Sequence, residues 1–197
     1  MTSSILNPVI NEYLSLVVNN QFNVGSVFGQ WGNQLSRGDM LFIEYVLSHN
    51  PQYTSGLELG TASGLTSLYW GFAMHLRGGK FHTFDIVDRR PQNVKEAWPT
   101  NMVHYTADVL SSLNQDVVNL ISMANMLAFI DNGDKAKEVN MYAPHIQVGC
   151  GFIVHDWGTE VFEHQIIETL QKYGFQRQYE DTGRILCCSC SYWVRMG

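Results

Sequence analysis

The chain has 197 residues, 45% hydrophobic and 12% aromatic, enough to bury one sizeable core, and a single domain is expected. Its formal net charge is −6 and its 12 lysines and arginines are scattered, so the basic footprint of a phosphate-backbone binder is missing and nucleic acid is not an expected partner. No stretch approaches the roughly 18 uninterrupted apolar residues of a membrane span, and Met1-Thr2-Ser3-Ser4 lacks the basic and apolar regions of a secretory signal, so a cytoplasmic protein is expected.

Two amphipathic segments, about Ile5 to Val18 and Gly38 to His49, bracket a Gly- and Asn-bearing stretch from Asn19 to Gly32. Residues 1–50 therefore read as a helical cover or lid over a core spanning 51–197. From Ser55 to Asp156, short β-rich apolar runs alternate with segments of helical period, the pattern of a mostly parallel sheet covered on both faces. Gly56 to Leu59 is the first strand, and the helix from about Leu65 to Leu76 closes on Arg77-Gly78-Gly79. Phe81 to Asp85 and Val103 to Tyr105 are the next strands. Asp108 to Met123 reads as a polar helix with Val109, Leu113, Val117 and Leu120 on one face. Met126 to Asp131 is a buried strand, Lys135 to Tyr142 a helix, Cys150 to His155 a fifth strand and Val161 to Lys172 another helix. After Gly174, two strand-like runs, Phe175 to Glu180 and Arg184 to Arg195, are joined by Asp181-Thr182-Gly183, a hairpin signal. The expected fold is α/β: a Rossmann-like, doubly wound, mostly parallel seven-stranded sheet ending in an antiparallel hairpin. Cys187 and Cys190 have C-x-x-C spacing, but with Cys188 they lie in an apolar run; these and Cys150 read as reduced, mostly buried thiols rather than a zinc site.

In a parallel sheet, ligands lie beyond the carboxyl ends of the strands, near the point where strand order reverses. The first strand-to-helix turn is Glu58-Leu59-Gly60-Thr61-Ala62-Ser63-Gly64. Gly60 permits a sharp turn or a close approach, and Gly64 opens a helix whose free N–H groups, with Ser63, suit a carboxylate or phosphate. The spacing is E-x-G-x-x-x-G rather than the dinucleotide G-x-G-x-x-G, and the acid suits a cationic ligand better than a pyrophosphate. Asp85, ending the second strand, can accept both hydroxyls of a ribose, with Asp88 as the fallback. Ala107-Asp108 follows the third strand, where Asp108 could equally cap a helix.

This loop resembles the first motif of class I S-adenosylmethionine-dependent methyltransferases. The resemblance implies that Glu58, Gly60 and Ser63, with Ala62 and Gly64 in the same loop, hold the methionine part of S-adenosylmethionine, and that Ala107 and Asp108 contact adenine. Phe129-Ile130-Asp131-Asn132-Gly133-Asp134 and Gly149-Cys150-Gly151-Phe152-Ile153-Val154-His155-Asp156 are similar to the fourth and fifth motifs of the small-molecule O-methyltransferases and the cephalosporin-hydroxylase-like group. Gln30-Trp31-Gly32 and Asp39 resemble the N-terminal segment of that group. Asp131 then belongs to the cofactor rim as well, and a small-molecule acceptor is the expected partner; a homo-oligomer stays open.

Asp131 and Asp156 fall at the ends of neighbouring strands, where their oxygens could converge on Mg²⁺. Trp157 stands where related metal-dependent enzymes present a further Asp or Asn; His155 or Asp134 could fill that place. Methyl transfer from a sulfonium needs alignment and removal of the acceptor's proton, since the leaving sulfur departs neutral. His155 is the first choice for the base and Lys135 the second. His82 reads as structural. Trp31, Trp98, Tyr142 and Trp157 are available to wall an acceptor pocket. The competing functions are a cephalosporin-hydroxylase-like oxidoreductase and a cofactor-binding module without activity; no two-His-one-carboxylate iron site has recognisable spacing.

Overall fold

The apolar runs and helical periods become an alternating βα chain in the computed structural model, which describes residues 35–197. In order these are α1 (Arg37–His49), β1 (Ser55–Leu59), α2 (Leu65–His75), β2 (Lys80–Asp85), α3 (Gln92–Glu96), β3 (Met102–Thr106) and α4 (Gln115–Ile121). Then follow β4 (Met126–Ile130), α5 (Lys135–Tyr142), a 3₁₀ turn (Ala143–His145), β5 (Gly151–Val154), α6 (Glu163–Lys172), β6 (Phe175–Gln178), α7 (Glu180–Ile185) and β7 (Ser191–Arg195). They form one seven-stranded sheet ordered β3-β2-β1-β4-β5-β7-β6. The first five strands in that order are parallel, and β7 runs antiparallel to both β5 and β6. Strand order reverses between β1 and β4, which places the expected ligand crevice at their carboxyl ends.

Strand parity sorts the core into two layers. Phe81, Phe129 and Ile153 join α1 and α2 on one face, where Trp70 stacks on Phe81. Leu57, Leu59, Phe84, Ile130 and Val154 join α4, α5 and α6 on the other. Residues 65 to 74 of α2 are all buried, as a helix with no polar face must be. The basic residue after α2 has a second use: the Arg77 guanidinium donates to the carbonyls of Leu47, Asn50 and Tyr53, satisfying the end of α1. No helix among the described residues is long and apolar enough to cross a membrane.

Two expectations are corrected. The helix predicted from Asp108 begins only at Gln115, because Asp108 accepts the N–H groups of Leu110 and Ser111 in a local turn while Asn114 caps the helix through Asp116 and Val117. The Asp181-Thr182-Gly183 segment is not a hairpin turn but part of α7, entered through Tyr179 in the left-handed region at φ 58°. Acids in its first turn and Arg184 in its last suit the helix dipole. Gly183 is buried, with Phe42 of α1 close to the position a Cβ would take. The antiparallel pairing of β6 and β7 forms all the same, with a helix between them. The expected helix at Ile5 to Val18 and the glycine-bearing stretch lie outside the described residues.

Candidate functional site

The register of the parallel strands aligns Phe84, Leu59, Ile130 and Val154 in one row. The residues that follow them, Asp85, Gly60, Asp131 and His155, therefore share one rim. Backbone bonds extend the ladder by this step, from Gly60 N–H to Phe84, Asp131 N–H to Leu59 and His155 N–H to Ile130. The glycine loop is held against that rim. Gly60 has φ 102°, and a Cβ there would lie 2.4 Å from the Asp131 carbonyl oxygen, so it permits a close approach to the chain just after β4. Gly64, at φ 81°, is the N-cap of α2.

Glu58 is fully buried on the α2 side of the sheet, where parity opposite Thr83 sends it. Thr83 donates to its carboxyl at 2.6 Å, Ser67 donates to the same oxygen, and the Thr61 hydroxyl is 2.6 Å from Thr83. Burial pushes the Glu58 carboxyl up to about 8 against these hydrogen bonds. Glu58 thus anchors the loop from behind, through Thr83 and Thr61, and its Oε1 has no hydrogen-bond partner.

Asp85 accepts the N–H groups of Ala62 at 2.8 Å and Val87 at 3.3 Å, one on each oxygen, which ties the glycine loop to β2. A carboxylate offers about four lone-pair sites, so acceptor capacity for two hydroxyls is left. Asp88 is committed elsewhere, paired with Arg90 and Lys95. Beside Asp85 opens a cleft of about 330 Å³ lined by Ile86, Ala107, Asp108, Val109, Asn132 and Lys137 among others. Ile86 is 61% exposed there, an apolar side chain left on the rim.

Across the switch point lies a buried charge network. His155 Nδ1 is 3.0 Å from Asp131 Oδ1 and 3.3 Å from Asp156 Oδ2, and its Nε2 faces Asp39 Oδ2 at 3.6 Å. Lys135 Nζ sits 3.0 Å from Asp156, 3.6 Å from Asp131 and 2.6 Å from Glu160. Burial disfavours a charged imidazole, but the carboxylates of Asp131 and Asp39 outweigh it and push His155 up to about 10. Burial likewise opposes the Lys135 charge, and Glu160, Asp131 and Asp156 outweigh it, raising the ammonium's pKa. Both residues expected as bases are therefore cations at neutral pH. Lys135 and His155 thus pair with both acids expected to hold Mg²⁺, while Asp131, His155 and Asp156 keep their ligand atoms within 4.8 Å of one another, a group that could hold a metal ion. Asp134 does not turn inward: it caps α5 through the Lys137 N–H.

On the same rim, Trp157, Arg177, Tyr179, Arg184, Cys190 and Ser191 help to line a second cleft of about 320 Å³, with Arg177 stacked on Trp157. Trp157 is thus placed beside a cavity. Tyr142 is not: it is core, donating to the Val109 carbonyl and accepting from the Asn114 N–H. Trp98 packs under Arg90 beside Gly64, and His82 contacts Tyr105 inside the fold. Trp31 lies outside the described residues. Sequence reasoning missed Glu160, whose four-residue spacing from Asp156 was the available signal, and missed the roles of Asp39 and Arg177, which only the folded chain brings to the rim.

The sequence matches no family model, and no curated protein matches it. Solved structures do resemble the fold. A Staphylococcus aureus protein assigned as a caffeoyl-CoA O-methyltransferase superposes with a TM-score of 0.59 at 14% identity, over 96% of this chain and 98% of that one. An S-adenosylmethionine-dependent O-methyltransferase from Thermotoga maritima gives 0.59 at 12% identity over 83% of this chain, which spans 66% of that chain's length. A tRNA (m1A58) methyltransferase from Aquifex aeolicus gives 0.54 at 15% identity, covering 86% and 73%. With its strand order, glycine loop and antiparallel β7, the chain has the fold of the class I S-adenosylmethionine-dependent methyltransferases.

Proposed function

We propose that the chain is an S-adenosylmethionine-dependent methyltransferase acting on a hydroxyl of a small molecule. The observation that carries this reading is the glycine loop pinned to Asp85 beside the cleft of Ile86, Ala107 and Asn132. That arrangement offers a carboxylate for ribose hydroxyls, an apolar wall for a purine and a helix N-terminus for the amino-acid carboxylate. The net charge of −6 favours a small acceptor over nucleic acid.

In the transfer, a C–O bond forms as the C–S bond breaks and sulfur leaves neutral, so no acid is needed. The acceptor's proton does not pass to Lys135 or His155, which are already cations. Asp156 is the better recipient: its side chain is 24% exposed, and its backbone sits in the left-handed region at φ 56°, a strained conformation of the kind kept at working sites.

Calorimetric titration with S-adenosylhomocysteine, S-adenosylmethionine and NAD⁺ tests the reading. Binding of the adenosyl ligands alone is expected; NAD⁺ binding without them would favour the oxidoreductase instead. The commitment of both expected bases as cations favours a second reading, a cofactor-binding module without transfer. Tight adenosyl binding with no methylation across a panel of phenols would select it.

A further inference from the structure

Behind the rim, three donors of different chemistry converge in the interior. Asp39, His155 and Cys190 are all buried, and their ligating atoms lie within 4.8 Å of one another. Cys190 Sγ is 3.5 Å from Asp39 Oδ1, and His155 Nε2 is 3.6 Å from Asp39 Oδ2. Ligands of one tetrahedral zinc ion, at bond lengths of about 2.0–2.3 Å, are themselves roughly 3.3–3.8 Å apart. The two separations to Asp39, one to each of its oxygens, fall in that range, and the third pair lies within 4.8 Å. His155 is only 2% exposed, and its Nε2 has no hydrogen-bond partner although it is aimed into the cluster. The other ring nitrogen already contacts Asp131 at 3.0 Å, the carboxylate–histidine support that metal-binding imidazoles ordinarily have. Asp39 is fixed from outside by the N–H groups of Ser36 and Ser189, both at 2.7 Å, so it need not be reorganised to bind.

We propose that Asp39, His155 and Cys190 form a binding site for a divalent cation of zinc's class. A mixed sulfur, nitrogen and oxygen set selects Zn²⁺ or Co²⁺ over Mg²⁺. The exchange balances: one M²⁺ enters as the thiol proton of Cys190 and the Nε2 proton of His155 leave, so the buried cluster keeps its charge. Three protein donors leave a fourth position for water or a ligand oxygen, the composition of open rather than closed zinc sites. Cys190 also lines the cleft of Trp157 and Arg177, so the site borders a cavity. This site uses Nε2 of His155, whereas the Asp131–Asp156 pair faces Nδ1 of the same ring and Lys135, and it does not depend on the methyltransferase reading.

Cobalt titration of the full-length, metal-stripped chain tests it. One equivalent of Co²⁺ should produce a thiolate-to-cobalt charge-transfer band that Zn²⁺ bleaches and excess Mg²⁺ leaves intact. Zinc calorimetry in two buffers should report about two protons released per ion. Cys190→Ser should lose the band, whereas the Cys187→Ser/Cys188→Ser double variant should keep it. Absence of the band in wild type or in that double variant overturns the site, whether or not Cys190→Ser folds. Survival of the band in Cys190→Ser also overturns it, by moving binding to another thiol.

Discussion

Asp85 and Lys135 show how much a single side chain carries at this rim. Asp85 joins the glycine loop to β2 and keeps lone pairs for a ligand, so Asp85→Asn should weaken S-adenosylhomocysteine binding by about tenfold, one charge-assisted hydrogen bond's worth. Calorimetry reads this directly, and unchanged affinity would remove Asp85 from the cofactor site. Lys135 is only 5% exposed and faces three carboxylates. Lys135→Met should therefore cost about 2–4 kcal/mol of unfolding free energy in urea, because Asp131 and Asp156 lose one of their two cationic partners. A loss below about 1 kcal/mol would mean that the pairs behave as exposed ones. Lys135 was legible in the sequence as a site residue. Its ionic state was not, since that depends on Glu160 and Asp156 arriving from beyond β5.

At the scale of elements, the loop between β1 and α2 is built into the sheet. Gly60 approaches the Asp131 carbonyl at φ 102°, so Gly60→Val should destabilise the whole fold and not just remove ligand affinity. A thermal melt lowered by several degrees in the absence of ligand is the expected result; an unchanged melt with lost binding would return Gly60 to direct ligand contact. The strands were readable because parallel, doubly covered strands are continuous apolar runs, as Met126–Ile130 shows. α7 was not readable. Asp-Thr-Gly is compatible with a turn or a helical start, and packing of Gly183 beside Phe42 decided between them. The segment after Asp108 failed similarly: its apolar spacing was helical, but the Asp108 side chain competed for the backbone.

For the whole molecule, buried carboxyls set the pH dependence of stability. Burial, the largest influence on both, pushes Glu58 and Glu138 from 4.5 up to about 8. A carboxyl raised on folding favours the folded state while protonated. Its contribution is complete below about 4.5 and lost progressively as pH rises to about 8. Urea unfolding should therefore show stability falling between pH 5 and pH 8, by about 1 kcal/mol per pH unit for each group. Glu58→Gln, which keeps the contacts to Ser67 and Thr83 without the proton equilibrium, should flatten the slope by about half between pH 5 and pH 6, below the range where His155, raised from 6.5, adds its own fall. A wild-type stability that rises over this range would show that neither carboxyl is held neutral.

The sequence by itself determined the βα alternation, the parallel core, the glycine loop and the carboxyl-end positions of Asp85, Asp131, His155 and Asp156, because these follow from periodicities of a few residues and from the backbone freedom of glycine. Only the tertiary structure decided what those side chains do. Register buried Glu58 behind the loop, Lys135 paired with Asp131 and Asp156, and the chain's return through α1 and β7 set Asp39 and Cys190 beside His155. Charge state and ligand geometry depend on neighbours distant along the chain, and folding alone brings those neighbours within a few ångströms.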